Sequence, residues 1–197
     1  MDTKSPVIIP GIKNIAISGR IGSGATTLAH KLGEVLSWPV LDGGKLFRKI
    51  NGELGMSIVD SNTRPDHFDL EYEERIKKMF REDSNHIVQS HLAGFDAQGI
   101  DGVFKILVLC IDKDGNDKPE IRIDRLVNRD NVSVEEAKHE VNEREFQHLA
   151  KFRRLYAKDD PDWVYWDKKY YDLVVNTYEL NQAESLDVAL KALNIAE

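Results

Sequence analysis

The stretch AISGRIGSGATTLAHKL, residues 16–32, constrains what this chain can fold into more than any other. Gly19, Gly22 and Gly24 are spaced as in the nucleotide loop G-x-x-x-x-G-K-[ST]. Phosphates must be approached there by bare backbone, because side chains at the glycine positions would stop successive N–H groups from turning inward. The apolar run NIAIS precedes the loop and an amphipathic segment from about Ala25 through Leu36 follows it. The loop is therefore expected where a buried strand turns into a helix whose dipole and unpaired amides face an anion. The candidate phosphate-binding set is Gly19, Arg20, Gly22, Ser23, Gly24, Ala25, Thr26 and Thr27, with Thr26 at the place of the magnesium-holding hydroxyl. A glycine-rich strand-to-helix turn without a ligand is the plainer alternative; the flanks and the Thr26-Thr27 pair favour phosphate.

The loop lacks its lysine: Ala25 stands between Gly24 and Thr26. A charge pair at ~4 Å and an effective dielectric near ~20 is worth roughly 4 kcal/mol. Losing one electrostatic donor in a water-excluded site typically costs on the order of 10²–10³ in rate. Binding suffers less, because the amides remain, so Ala25 weakens a catalytic reading more than a binding one. Arg20, inside the loop, is either a solvated cation or a replacement directed at phosphate; Lys45 and the later arginines are further candidates.

Alternation of strand and helix signals argues for a parallel sheet covered on both faces. NIAIS, WPVLD, HIVQ, FKILVLCI and YDLVVN read as the strands. Helices are expected after the loop, over GKLFRKINGEL up to Gly55, after Pro65, from Pro119, from Ser133, and over the closing QAESLDVALKALNIAE. Ser133 and Glu136 form a capping-box pattern, and Val134, Ala137, Val141, Leu149, Phe152 and Leu155 fall near one helical stripe. The helix DLEYEERIKKMFRED mixes both signs and reads as a solvated surface. The polar, breaker-rich stretch from Asp112 to Glu120 reads as a hinge or mobile edge.

Composition narrows the partners. With 27 Lys plus Arg against 34 Asp plus Glu, the formal charge is −7, and no aromatic-basic stripe is present. This disfavours nucleic acid and membrane surfaces as partners. The single cysteine, Cys110, lies in an apolar run and reads as a buried bystander. The start, MDTKSPVIIPG, is no convincing signal peptide, so a cytoplasmic location is expected. A length of 197 residues suits one domain over 1–197.

IAISGRIGSGATTLAHKLGEVL, LDGGKLFRKI, IVQSHLAGF, SVEEAKHEVNEREFQHLAKFRRLY and YDLVVNT follow one another as in cytidylate kinases, and the chain resembles the short, archaeal-type form of that family from about Lys13 to the C-terminus. The resemblance implies an α/β P-loop NTPase fold with a five-stranded parallel sheet flanked by helices. It implies a monophosphate-binding region at about 42–85 and a helical lid at about 112–156. The implied reaction is transfer of the γ-phosphoryl of ATP to CMP with Mg²⁺. Gly43 and its neighbours would let a monophosphate approach, and Arg48 would hold its phosphate, as a planar guanidinium does well. Asp42 contacts ribose or base, or caps the next helix. Arg125 and Arg129 share a helix face and in a lid would close over the phosphates, or else pair with Asp124 or Asp130. Arg144, Lys151, Arg153 and Arg154 lie on the next helix; the family often has arginine where Lys151 stands. Arg125, Arg129, Lys151 and Arg153 are the candidate catalytic cations.

A second departure follows the third strand. Family members generally have an acid, a small residue and an arginine there; this chain has Gln89, Ser90 and His91. Ser90 and His91 join the candidate substrate-binding set, with His91 able to donate a hydrogen bond or carry charge beside phosphate. Three charged positions near the expected reaction centre are thus neutralised or softened. Two functions remain open on these residues: a nucleoside monophosphate kinase with substitute cations, or a nucleotide-binding sensor of the same fold whose chemistry is lost.

Overall fold

A computed structural model describes residues 5–45 and 65–195. Arg48, and the helix expected through Gly55, lie outside the described residues. The five expected strands form one parallel sheet: β1 (Asn14–Gly19), β2 (Val40–Asp42), β3 (His86–Gln89), β4 (Val103–Leu109) and β5 (Leu173–Asn176), in the order β2-β3-β1-β4-β5. β1 is buried along its whole length, as a central strand covered on both faces must be. Ile15 and Ile17 face α1 (Ala25–Leu36) and the closing helix; Ala16 faces the opposite layer with Tyr72, Ile76 and Phe80. The register sets Ile17 beside Gln89 and Gln89 beside Asp42, so the C-terminal ends of β1, β2 and β3 open on one edge. The chain order reverses at β1, and the crevice beyond the strand ends at such a reversal is where ligands of open α/β sheets sit.

α1 has the expected bounds and ends where Ser37 turns left-handed, its amide bonded to the Gly33 carbonyl. The helix after Pro65, α2 (Asp66–Glu82), is not the solvated surface its composition suggests. Tyr72, Ile76 and Phe80 recur every four residues and seat it on the sheet, and the same face buries Asp69 and Glu73. A short α3 (Ala93–Asp96) follows β3.

Two helical elements follow β4 in the region expected to be a lid. α4 (Pro119–Asp130) starts on its proline and ends at Asn131, whose φ of 53° stops the helix. Ser133 and Glu136 make both bonds of the expected capping box. The helix they open is continuous to Tyr156, but it is α5 (Val134–Lys138), a π-helical stretch His139–Arg144, and α6 (Glu145–Tyr156). The expected single stripe is therefore split. Ala137 and Val141 pack with Leu126, Leu149 and Phe152 pack with Leu92 and Tyr165, and Val134 is exposed. A π turn takes an extra residue, which rotates every later side chain around the axis. The Asp112–Glu120 stretch, expected as a loose hinge, is closed on itself. Ile111 bridges Asp117, Asp112 Oδ1 accepts the amides of Asp114 and Asn116, and Lys118 Nζ lies 3.1 Å from Asp112 Oδ2. The last helix, α7 (Gln182–Ala192), opens on a second capping box, Asn181 with Glu184. Cys110 is buried and free. Among the described residues no helix is long and apolar enough to cross a membrane.

Candidate functional site

The loop between β1 and α1 is shaped by its glycines. Gly22 and Gly24 have φ of 76° and 100°, the left-handed region that side chains avoid. A Cβ on Gly22 would lie 2.5 Å from the Arg122 carbonyl oxygen, and one on Gly19 would lie 2.5 Å from Ser23 Oγ. Gly24 is the N-cap of α1, and no side chain caps the helix. The first intrahelical bond is Leu28 N–H to Gly24 O at 3.0 Å. The amides of Ala25, Thr26 and Thr27, in the turn before it, have no helical acceptor, and no acid occupies that turn. Two cavities meet at this loop, one of about 1150 Å³ and one of about 480 Å³, sharing Gly22, Gly24, Thr27 and Arg129 in their walls. The hollow is open.

Side chains from three other elements hold the loop from behind. Thr177, just past β5, donates its hydroxyl to the Ser23 carbonyl at 2.7 Å. Arg125 donates to Thr177 Oγ1 at 2.8 Å and to the Thr177 carbonyl at 2.7 Å, and reaches Ser23 O at 3.4 Å. From α6, Glu145 Oε2 accepts the Ile21 amide at 3.1 Å. Arg122 donates to the Ile21 carbonyl at 2.7 Å, to Glu145 Oε2 at 2.9 Å and to Asp117 Oδ2 at 2.6 Å. Arg20 joins this network rather than either alternative open in the sequence. It donates to Glu145 Oε1 through Nε at 2.9 Å, lies 3.1 Å from Asp117, and stacks 4.5 Å over the Trp166 ring. Burial alone would raise the Glu145 carboxyl, but Arg20 and Arg122 overcome it and hold the group below its ordinary value.

At the floor of the larger cavity, Thr26 and Gln89 meet as uncharged partners. Thr26 Oγ1 donates to Gln89 Oε1 at 3.1 Å. Gln89 is 8% exposed, and a carboxylate buried at that position would face alanine rather than lysine at position 25. His91 Nδ1 lies 3.1 Å from the Gly19 carbonyl and 3.2 Å from the Tyr165 hydroxyl. Burial and the Arg144 charge push His91 below its ordinary value, so without an anion beside it the ring is a neutral strut under the loop at pH 7. A Cβ on Gly43 would meet the Tyr72 hydroxyl at 2.7 Å and Ser90 Cβ at 2.9 Å, so only glycine lets these elements close up. Asp42 Oδ1 accepts the Lys45 amide at 3.0 Å, which is the capping role; its Oδ2 lies 3.7 Å from His30 Nε2. Asp42 Oδ2, His30 Nε2 and Ser90 Oγ are buried without a hydrogen-bond partner among the described residues, and all three residues line the cavity.

The opposite wall comes from α2 and from the continuous helix that runs from Val134 to Tyr156. Lys151 lines the cavity with Nζ 2.5 Å from Asp69 Oδ2. Arg144 also lines it and pairs with Glu140 across the π-helical stretch. Arg129 borders both cavities. Arg153 does not belong to this set: it is absent from the cavity wall, and its Nε donates to the Trp163 carbonyl at 2.9 Å, bracing the chain after α6. Arg154 pairs with Asp66 on the outside. Glu73 also lines this wall and is buried against Asp96 behind it, and burial followed by this mutual contact pushes Glu73 well above its ordinary value.

The loop residues, Arg125, Arg129, Lys151, Asp42, Gly43, Ser90 and His91 therefore surround two adjoining cavities. Arg122, Glu145, Thr177, His30, Asp69 and Glu73 were not singled out by sequence. Glu145 and Arg122 carry no local signal, since their partners lie in distant elements. His30 could have been found: it falls four residues after Thr26 on the same face of α1.

No protein-family model matches the chain. It is 31% identical over 183 residues to a cytidylate kinase of Methanopyrus kandleri, covering 91% of this chain and 92% of that one. It is 28% identical over 184 residues to a cytidylate kinase of Saccharolobus islandicus, covering 92% and 90%. Among solved structures, a shikimate kinase from Bacteroides thetaiotaomicron matches with a TM-score of 0.59 at 14% identity, across 92% of this chain and 98% of that one, a likeness of fold alone.

Proposed function

The chain belongs to the cytidylate kinase family, and from that premise we propose that it transfers the γ-phosphoryl group of ATP to CMP. The observation that carries the reading is the uncapped N-terminus of α1, opening onto two adjoining cavities that share the loop. The smaller cavity takes the nucleoside of the donor and the larger takes the acceptor. The amides of Gly24, Ala25, Thr26 and Thr27 hold the donor phosphates between them. An oxygen of the CMP phosphate, already ionised at pH 7, forms the new bond to the γ-phosphorus while the bond to the bridging oxygen breaks and ADP leaves. Such a transfer asks for positioning and charge stabilisation more than proton movement. Arg129, at the border of the two cavities, supplies positive charge in place of the absent lysine, and Lys151 serves the acceptor. Arg125 acts through the loop it braces. Arg48 is the further acceptor anchor implied by the family resemblance.

The residues present fit magnesium arriving with the nucleotide. Thr26 gives its proton to Gln89 and keeps oxygen lone pairs, while the phosphates bring the anionic ligands a hard cation needs. Bound there, magnesium supplies charge neutralisation on the transferring group. No protein carboxylate is bonded to Thr26 among the described residues, so the metal site depends on the nucleotide's own charge.

A second reading, nucleotide binding without transfer, is favoured by the commitment of Arg20 to Glu145 and Asp117 and by the neutral His91. One experiment separates the two: Mg-ATP and CMP are incubated with the protein and CDP is measured, with thermal shifts by each nucleotide alongside. CDP above background supports transfer. Stabilisation by both nucleotides without CDP supports the sensor, and no stabilisation by either rejects both.

A further inference from the structure

The acceptor wall already holds an anion where an acceptor phosphate would bind. Lys151 Nζ and Asp69 Oδ2 are 2.5 Å apart, each side chain is 4% exposed, and both residues line the larger cavity. Burying a pair this deeply takes both charges out of water, and such a pair contributes little net stability compared with an apolar one. Its place in the cavity is what distinguishes it. The carboxylate reaches Lys151 from α2, the helix on the acceptor side, and Lys151 sits on α6 of the lid. One turn along each helix, Arg154 grips Asp66 with two bonds, at 2.5 and 2.8 Å, in the open. Asp66 Oδ1 also lies 3.8 Å from Lys151. The two rungs clasp α2 to α6, and the outer rung keeps the helices together when the inner one opens.

We propose that Asp69 is a resting stand-in for the acceptor's phosphate: its carboxylate occupies Lys151 until a phosphomonoester dianion displaces it. The inference rests on the reading of the larger cavity as the acceptor site and adds a built-in competitor to it. A monophosphate carries more charge than a carboxylate and more acceptor oxygens, so it wins the exchange, whereas a nucleoside lacking phosphate has nothing to exchange. Acceptor affinity is thus held down in a way that depends on the phosphate alone.

The test compares CMP and cytidine by calorimetry, with thermal unfolding of the same samples. Asp69→Asn removes the carboxylate nearest Lys151 and leaves only the more distant Asp66, so the free protein melts earlier, yet CMP binds about tenfold tighter. Cytidine affinity stays within about twofold, and Asp66→Asn, on the exposed rung, changes CMP affinity by less than about twofold. A purely structural pair predicts the opposite pattern: a lower melting point with CMP affinity unchanged or weaker, and that result overturns the proposal. Should Asp69→Asn fail to fold, the apolar double variant Asp69→Leu with Lys151→Met takes its place. It is expected to lose at least about tenfold in CMP affinity and none for cytidine; undiminished CMP binding rejects the proposal. Wild-type protein that does not bind CMP removes the acceptor reading and this inference together. Wild-type binding with no gain in Asp69→Asn removes this inference alone.

Discussion

The glycine loop and the wall built by α2 and α6 line one cavity and are built from different materials. In the loop, the groups left without a helical partner are main-chain amides set by Gly22, Gly24 and the uncapped start of α1. On the wall the polar groups are side chains, and Lys151 and Arg144 already have acidic partners in Asp69 and Glu140. A site made of backbone keeps its anion affinity when one side chain changes, which is why Ala25 is tolerable there. A site made of paired side chains must exchange partners before it can bind. Two buried glutamates sharpen the contrast. Glu145 behind the loop is held below its ordinary value by Arg20 and Arg122, whereas Glu73 on the wall is pushed well above its own by burial and by Asp96.

The largest effect is expected behind the loop. Arg122→Ala strips Glu145 of its most buried partner and should cost about 3–5 kcal/mol, read by denaturant unfolding; a loss below about 1 kcal/mol would mean the network is ornamental to the fold. Gly22→Ala comes next. The new methyl meets the Arg122 carbonyl and a φ that alanine resists, so the ATP thermal shift should vanish and CDP formation fall by about 10²–10³. Retained ATP binding would break the claim that backbone shape holds the phosphates.

The two glutamates should separate with pH. Glu145 has a lowered folded value, so the stability it contributes is full above its unfolded value of about 4.3 and is lost as pH falls through the lower folded one. Glu73 has a raised folded value, so its effect runs the other way: stability falls as pH rises from the unfolded value toward the folded one. Glu73→Gln, which stays neutral, should therefore raise the melting point by a few degrees at pH 8 and much less at pH 4. Equal shifts at both pH values would place Glu73 in an ordinary polar environment. The smallest effect is Arg153→Ala, expected to cost about 1 kcal/mol through the lost Trp163 contact and to leave CDP formation within twofold. A large loss of rate there would return Arg153 to the site.

How much of this was readable in the chain follows the same division. The loop, α1 with its bounds, and all five strands announce themselves through glycine spacing and apolar runs, because backbone-built features depend on local sequence. The wall does not. Asp69 and Glu73 look like solvated acids in a mixed-charge run, since burial of α2 is decided by Tyr72, Ile76 and Phe80 meeting the sheet. Arg20 looks like a loop cation, solvated or directed at phosphate, because Glu145 is 125 residues away. The stripe from Val134 to Leu155 reads as one face only if the helix keeps its α period, and the π turn at His139–Arg144 breaks that assumption. Arg153 looks catalytic beside Lys151, yet the helix turns it toward Trp163.

The central claim is that main-chain N–H groups at the start of α1 hold the donor phosphates without a lysine. Amide chemical shifts of ¹⁵N-labelled protein, titrated with Mg-ATP, test it most directly. Saturable shifts of Gly22, Gly24, Ala25, Thr26 and Thr27, larger than those of the rest of α1, are the predicted result. ATP binding that leaves these five amides unmoved, or no binding at all, would contradict it.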